Sequence, residues 1–161
     1  VARAKKTGSV QKQEFGAGMT PPGPDLVSHK RNKGPEVRGP NGVRTILIAD
    51  DEPAVRLLIR GLLETGGYGV LEAGDGNAAL RIMENTPVDL LITDLCMPER
   101  GGWETILEVH RLGAPSKILV VSGSLDEFLP GPGDFRVDAI LEKPFRSGEL
   151  VACVHRLLPD A

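Results

Sequence analysis

Three kinds of polar side chain in this sequence could do chemistry together. They are an adjacent acid pair, Asp50-Asp51, with a third acid at Asp94; a hydroxyl, Ser122; and an amine, Lys143. Each follows a short apolar run: Thr45-Ile46-Leu47-Ile48-Ala49, Val88-Asp89-Leu90-Leu91-Ile92-Thr93, Lys117-Ile118-Leu119-Val120-Val121 and Val137-Asp138-Ala139-Ile140-Leu141. Three grouped carboxylates repel and raise one another's pKa. A hard divalent cation relieves that repulsion, and Mg²⁺ takes oxygen ligands, commonly one or two carboxylates with water and phosphate oxygens. A carboxylate can attack phosphorus without a general base. It needs neutralised charge and in-line positioning, because phosphoryl transfer is catalysed largely electrostatically. The ammonium of Lys143 and the hydroxyl of Ser122 are donors suited to phosphoryl oxygens.

The elements that would position these residues alternate regularly. Strands are expected over 45–49, 69–73, 88–93, 117–121 and 137–141. Between the first two, Val55, Leu58, Ile59, Leu62 and Leu63 mark the inward face of a helix over 53–64, with Pro53 in its first turn and Gly66-Gly67 as its stop. Asp75 is placed to cap a helix running to about Asn85, with Ala78, Ala79, Ile82 and Met83 inward. A third helix fits 102–112 through Ile106, Val109 and Leu112. A last one fits 147–158 through Leu150, Val151, Val154, Leu157 and Leu158. Alternation of apolar strands with helices implies an α/β fold, a parallel sheet covered on both faces, with right-handed crossovers. In such a sheet, sites form at the carboxyl ends of the strands, which is where the five polar residues fall. Between the fourth and fifth strands, Pro130, Gly131, Pro132 and Gly133 leave room for only a short or irregular fourth helix.

Composition narrows the classes further. Residues 1–42 carry eight basic and three acidic side chains and 12 Gly or Pro, so they read as a basic, flexible tail or linker without a core. Residues 43–161 carry eleven basic and nineteen acidic side chains, an acidic domain of ordinary single-core size. By charge, that domain is not expected to bind nucleic acid. The run His29-Lys30-Arg31-Asn32-Lys33 is read as solvated linker rather than a binding patch. No apolar run is long enough for a membrane helix, and no apolar leader opens the chain, so the expected location is cytoplasmic. Cys96 and Cys153 are too far apart in sequence to suggest a disulfide scaffold or zinc site.

The segments Ile48-Ala49-Asp50-Asp51-Glu52, Asp94-Leu95-Cys96-Met97-Pro98 with Gly102, Val121-Ser122-Gly123 and Lys143-Pro144-Phe145 resemble, in order, those of response-regulator receiver domains of two-component signalling. The likeness spans residues 44–159 and implies a flavodoxin-like, doubly wound five-stranded parallel sheet of order 2-1-3-4-5. It implies that Asp94 is the phosphoacceptor, taking a phosphoryl group from a phosphohistidine of a histidine kinase or histidine phosphotransfer protein. It implies Mg²⁺ as cofactor, with Asp51 a direct ligand, Asp50 acting mainly through water, Asp94 itself a ligand and Cys96 contributing its backbone carbonyl. Ser122 would be the switch hydroxyl and Lys143 the phosphate-binding lysine. Pro144 stands where the family often has a cis peptide bond.

Each residue also has a plainer reading. Asp50-Asp51 could be a helix cap, Asp94 a turn acid, Ser122 a loop hydroxyl and Lys143 a solvated lysine. Two departures from the family stand out: Ile140 replaces the usual aromatic three residues before the lysine, and prolines truncate the fourth helix. The output face is therefore the less legible part. A phosphatase of the haloacid-dehalogenase type would need Asp-x-Asp after the first strand, where the chain has Asp50-Asp51-Glu52-Pro53. A pseudo-receiver that only binds partners would not need all five polar residues. The context is either a stand-alone regulator or the C-terminal receiver of a hybrid histidine kinase.

Overall fold

In the computed structural model, the described residues are 42–123 and 137–159. The expectations for the basic tail and for the Pro/Gly segment 130–133 lie outside them. The elements are β1 (Thr45–Ala49), α1 (Pro53–Thr65), β2 (Gly69–Ala73), α2 (Gly76–Asn85), β3 (Leu90–Thr93), α3 (Gly102–Arg111), β4 (Lys117–Ser122), β5 (Ala139–Glu142) and α4 (Ser147–Leu157).

The five strands form one parallel sheet in the order β2-β1-β3-β4-β5, the flavodoxin-like order that the resemblance implies. Successive strand residues face opposite ways, and the two cores follow that alternation. Ile46, Ile48, Leu90, Ile92, Leu119 and Val121 pack with Ile59 and Leu63 of α1 and Leu150, Cys153 and Val154 of α4. Leu47, Ala49, Leu91, Ile118 and Val120 pack on the other face with Ala79 and Leu80 of α2 and Ile106 and Val109 of α3. Burial on both faces explains why the three central strands read as continuous apolar runs. The edge strand β5 is only half covered, and its Ile140 is 56% exposed.

Several details depart from the sequence-based expectations. Leu58 is 51% exposed rather than inward. At 100° per residue it lies at the rim of the stripe set by Val55, Ile59, Leu62 and Leu63, outside what the sheet covers. Leu112 is 49% exposed because α3 ends before it: Leu112 is the C-cap, and Gly113 turns the chain away at a φ of 66°. Leu80 is buried in α2, although the expected face centred on its neighbours. β3 begins at Leu90 because Asp89 uses its side chain at the strand entrance. β4 extends through Ser122, which pairs with Glu142 in β5, so the hydroxyl sits on the ladder rather than after it. Asp75 caps α2 as expected, accepting from the Ala78 N–H at 2.7 Å.

Candidate functional site

The carboxyl ends of β1, β3, β4 and β5 converge. Backbone bonds fix their spacing: the Asp94 N–H donates to the Ala49 carbonyl at 2.9 Å, and the Lys143 N–H to the Ser122 carbonyl at 3.0 Å. Asp50, Asp94 and Ser122 are buried and Asp51 is exposed. Carboxylate oxygens of Asp50, Asp51 and Asp94 all lie within 4.8 Å of one another. The sequence-predicted acids therefore do meet.

The polar side chains from the other two strands join them. Lys143 Nζ lies between two carboxylates, 2.7 Å from Asp50 Oδ2 and 2.6 Å from Asp94 Oδ2. Ser122 Oγ donates to Asp94 Oδ1 at 2.9 Å, and the Cys96 N–H donates to the same oxygen at 3.0 Å. Burial pushes the Asp94 carboxyl up, but the hydrogen bonds from Lys143, Cys96 and Ser122, with the charge of Lys143, outweigh burial and hold it below its ordinary value. Burial likewise pushes the Lys143 ammonium down, and its bonds to Asp50 and Asp94 more than reverse that. Both groups are thus held charged at neutral pH.

The plainer readings of Asp50 and Lys143 do not describe what their side chains do, whereas Asp94 does make a turn bond, to the Cys96 N–H, besides its bonds to Ser122 and Lys143. The N-cap of α1 is Glu52, and Asp50 Oδ1 accepts from the Glu52 N–H at 2.8 Å instead of capping the helix. Lys143 is in two ion pairs. The Lys143–Pro144 peptide is cis. The Cys96 thiol is exposed and the Cys153 thiol buried. Trp103, beside the Asp94 loop, is partly buried against the second core.

Other residues support the site without having been legible in sequence. Thr93 Oγ1 donates to the Asp94 carbonyl at 2.9 Å. The Gly102 N–H closes the loop on the Leu95 carbonyl at 3.0 Å, and a Cβ on Gly102 would overlap the Asp94 carbonyl. Arg100 ties the loop to α2, its Nε donating to Asn77 Oδ1 at 2.9 Å and its carbonyl accepting from the Gly76 N–H at 3.2 Å. On α1, Arg56 Nη1 donates to the Asp50 carbonyl at 2.6 Å. The only prior signal was Gly102, and its reason, close approach of α3 to the Asp94 backbone, is a tertiary contact.

The donor set is one that Mg²⁺ fits, since three carboxylates offer hard oxygens and, among the described residues, no Cys or His side chain joins the cluster. No described helix is long and apolar enough to cross a membrane.

Comparison with known proteins agrees with the geometry. The sequence pattern of the response regulator receiver domain matches residues 46–155. The transcriptional regulatory protein CpxR of Klebsiella pneumoniae is 36% identical over 115 residues, covering 70% of this chain and 48% of CpxR. The sensor kinase CckA of Brucella abortus is 33% identical over 138 residues, covering 82% of this chain but 14% of the kinase. The chain thus spans about half of one curated relative and a small part of another. Among solved structures, the response regulator TrrA of Thermotoga maritima, in complex with Mg²⁺ and BeF, is similar with a TM-score of 0.65 and 29% identity, covering 71% of this chain and 99% of TrrA. An acidic pocket at the carboxyl ends of a 2-1-3-4-5 sheet and a family match over most of the domain lead to one conclusion: the chain belongs to the response regulator receiver domain family, the regulatory phosphoacceptor module of two-component signalling.

Proposed function

We propose that Asp94 accepts a phosphoryl group from the phosphohistidine of a histidine kinase or histidine phosphotransfer protein. The observation that carries this assignment is the environment of its carboxylate. It is buried, yet it faces the acidic pocket and receives Lys143, Ser122 and the Cys96 N–H at 2.6, 2.9 and 3.0 Å. An ionised carboxylate held in place by three donors is a ready nucleophile, and the same donors can pass to phosphoryl oxygens when the phosphorus–oxygen bond forms.

Asp51, Asp94 and the Cys96 backbone carbonyl would hold Mg²⁺ directly, with Asp50 acting mainly through water. A bound Mg²⁺ would neutralise carboxylate and phosphoryl charge. Lys143 is already poised over Asp94 and would meet a phosphoryl oxygen, giving up part of its bond to the bare carboxylate. Ser122 would turn its hydroxyl to another oxygen, and that movement, coupled through β4, would bias the partner-binding surface. TrrA was solved with Mg²⁺ and BeF, which supports a Mg²⁺-dependent reading.

Residues 43–161 would act as the receiver and residues 1–42 as linker, in the cytoplasm, within either a separate regulator or a hybrid kinase. The test is phosphorylation by a small phosphodonor. The wild type should take up phosphoryl groups only with Mg²⁺, and Asp94→Ala should take up none. A wild type that neither does so nor binds beryllium fluoride with Mg²⁺ refutes the assignment and leaves a binding module.

A further inference from the structure

A cation on α1 stands against the acidic pocket without belonging to the expected site. Arg56 Nη1 donates to the backbone carbonyl of Asp50 at 2.6 Å. Its Nε lies 3.6 Å from Glu72 Oε1 on β2, and Glu72 Oε2 lies 3.0 Å from Arg60 Nη1 one turn further along α1. Arg60 is in turn bonded to Glu64 at 2.8 Å. A charged relay therefore runs from the surface of α1 across β2 to the carbonyl that joins Asp50 to Asp51.

That carbonyl controls a good deal. A peptide unit is planar, so gripping its oxygen fixes the plane that carries both flanking Cα atoms. The Asp50 N–H is held by the Ala73 carbonyl at 3.2 Å, and its Oδ1 by the Glu52 N–H at 2.8 Å. Arg56 supplies the grip on the next plane, which aims Asp51. Asp51 is exposed, at the mouth of the pocket, so its backbone does most to place its carboxylate.

We propose that Arg56 is a positioning residue for the metal site: by holding the Asp50 carbonyl it orients Asp51 toward the divalent cation, although it is itself a cation that touches no ligand oxygen. The inference rests on the metal site proposed above. Two effects of Arg56 on Mg²⁺ binding have opposite signs. Its charge repels Mg²⁺, so removing the charge alone should tighten binding. Its grip organises a ligand, so removing the grip should weaken binding. Partners that orient metal ligands typically change affinity by about 10–100-fold. A backbone grip on a water-accessible site belongs at or below the low end, about three- to tenfold.

The sign decides between them. Mg²⁺ affinity is measured by titration calorimetry on the wild type, Arg56→Met and Arg56→Lys, with thermal melting of each as a fold control. Arg56→Lys keeps the charge but loses the planar fork. Arg56→Lys should bind Mg²⁺ about three- to tenfold more weakly than the wild type, and Arg56→Met should also bind more weakly than the wild type, but by less, because it relieves the charge repulsion as well. Tighter binding by Arg56→Met, or wild-type affinity in Arg56→Lys, overturns the inference while leaving the metal site standing. Absence of Mg²⁺ binding by the wild type overturns the site itself, and the inference with it.

Discussion

Lys143 carries the most informative perturbation. Its ammonium lies between two buried carboxylates at 2.6 and 2.7 Å. Lys143→Met keeps the unbranched stem and removes the charge. Two facing carboxylates would then lack their shared counter-ion. Stranding a buried charge by deleting its partner costs about 3–5 kcal/mol. The Lys143 side chain is 22% exposed, so water reaches the pair and the loss is reduced to about 2–3 kcal/mol. The same deletion removes a competitor for the carboxylate oxygens that Mg²⁺ would use. A hydrogen bond to a charged group is worth about 1.5–3 kcal/mol, and 1.4 kcal/mol is about tenfold in affinity. Mg²⁺ should therefore bind Lys143→Met about tenfold more tightly. Urea unfolding in EDTA and in millimolar MgCl₂ reads both effects at once. The variant should lose its stability in EDTA and recover most of it with Mg²⁺, since a ligand of the native state stabilises by mass action. Phosphoryl uptake should fall even as metal binding improves. Equal losses with and without Mg²⁺, at unchanged Mg²⁺ affinity, would refute the reasoning.

Gly102→Ala would drive a methyl into the Asp94 carbonyl; overpacking of this kind costs about 1–3 kcal/mol, and phosphoryl uptake should slow with it, as a stability and labelling pair of measurements would show. Asp75→Ala removes the cap on the Ala78 N–H and should cost about 1 kcal/mol in urea while leaving phosphorylation of Asp94 at the wild-type rate. The pH dependence has two limbs. The Asp94 carboxyl is held below its ordinary 3.8, so its contribution is present above that value and is lost as pH falls through the depressed one; Lys143 is held above its ordinary 10.5, so its contribution is present below that value and is lost as pH rises through the raised one. Asp94→Asn should flatten the acid limb of a urea stability profile, and identical acid slopes in the two proteins would contradict the assigned shift.

The sequence made the sheet and the convergence of its strand ends legible for a physical reason. A parallel strand buried on both faces must be a short apolar run, so β1, β3 and β4 announce themselves, and the first polar residue after each marks the same edge. What the runs cannot encode is how far a covering element reaches. Leu58 looks like a core residue in a helical pattern, yet it is 51% exposed because the sheet covers a narrower stripe of α1. Tertiary supports were equally hidden. Arg56 and Arg100 serve a backbone carbonyl and a side-chain amide, and any surface helix or loop contains such residues; Thr93, buried at the end of β3, serves the Asp94 carbonyl and reads in sequence as one more β-branched strand residue.

Acids at the two edges of the sheet show why location, rather than composition, separates structural from reactive carboxylates. At the amino ends of parallel strands the first N–H groups lack ladder partners, and a carboxylate there finds donors ready. Asp89 accepts from the Thr45 N–H at 2.7 Å and pairs with Arg44, and Asp138 accepts from the Ile118 N–H at 3.0 Å and pairs with Lys117. Those acids are fully engaged by the fold. At the carboxyl ends the strands present carbonyl oxygens, which offer a carboxylate nothing. Asp50 and Asp94 find donors only where the chain turns into a helix or loop, at the Glu52 and Cys96 N–H groups, and where Lys143 and Ser122 arrive from other strands. Asp51 extends the same cluster toward solvent. A carboxylate at that edge is expensive to bury and incompletely matched by the backbone. Its remaining capacity to bind cations and phosphoryl groups follows from the direction of the strands.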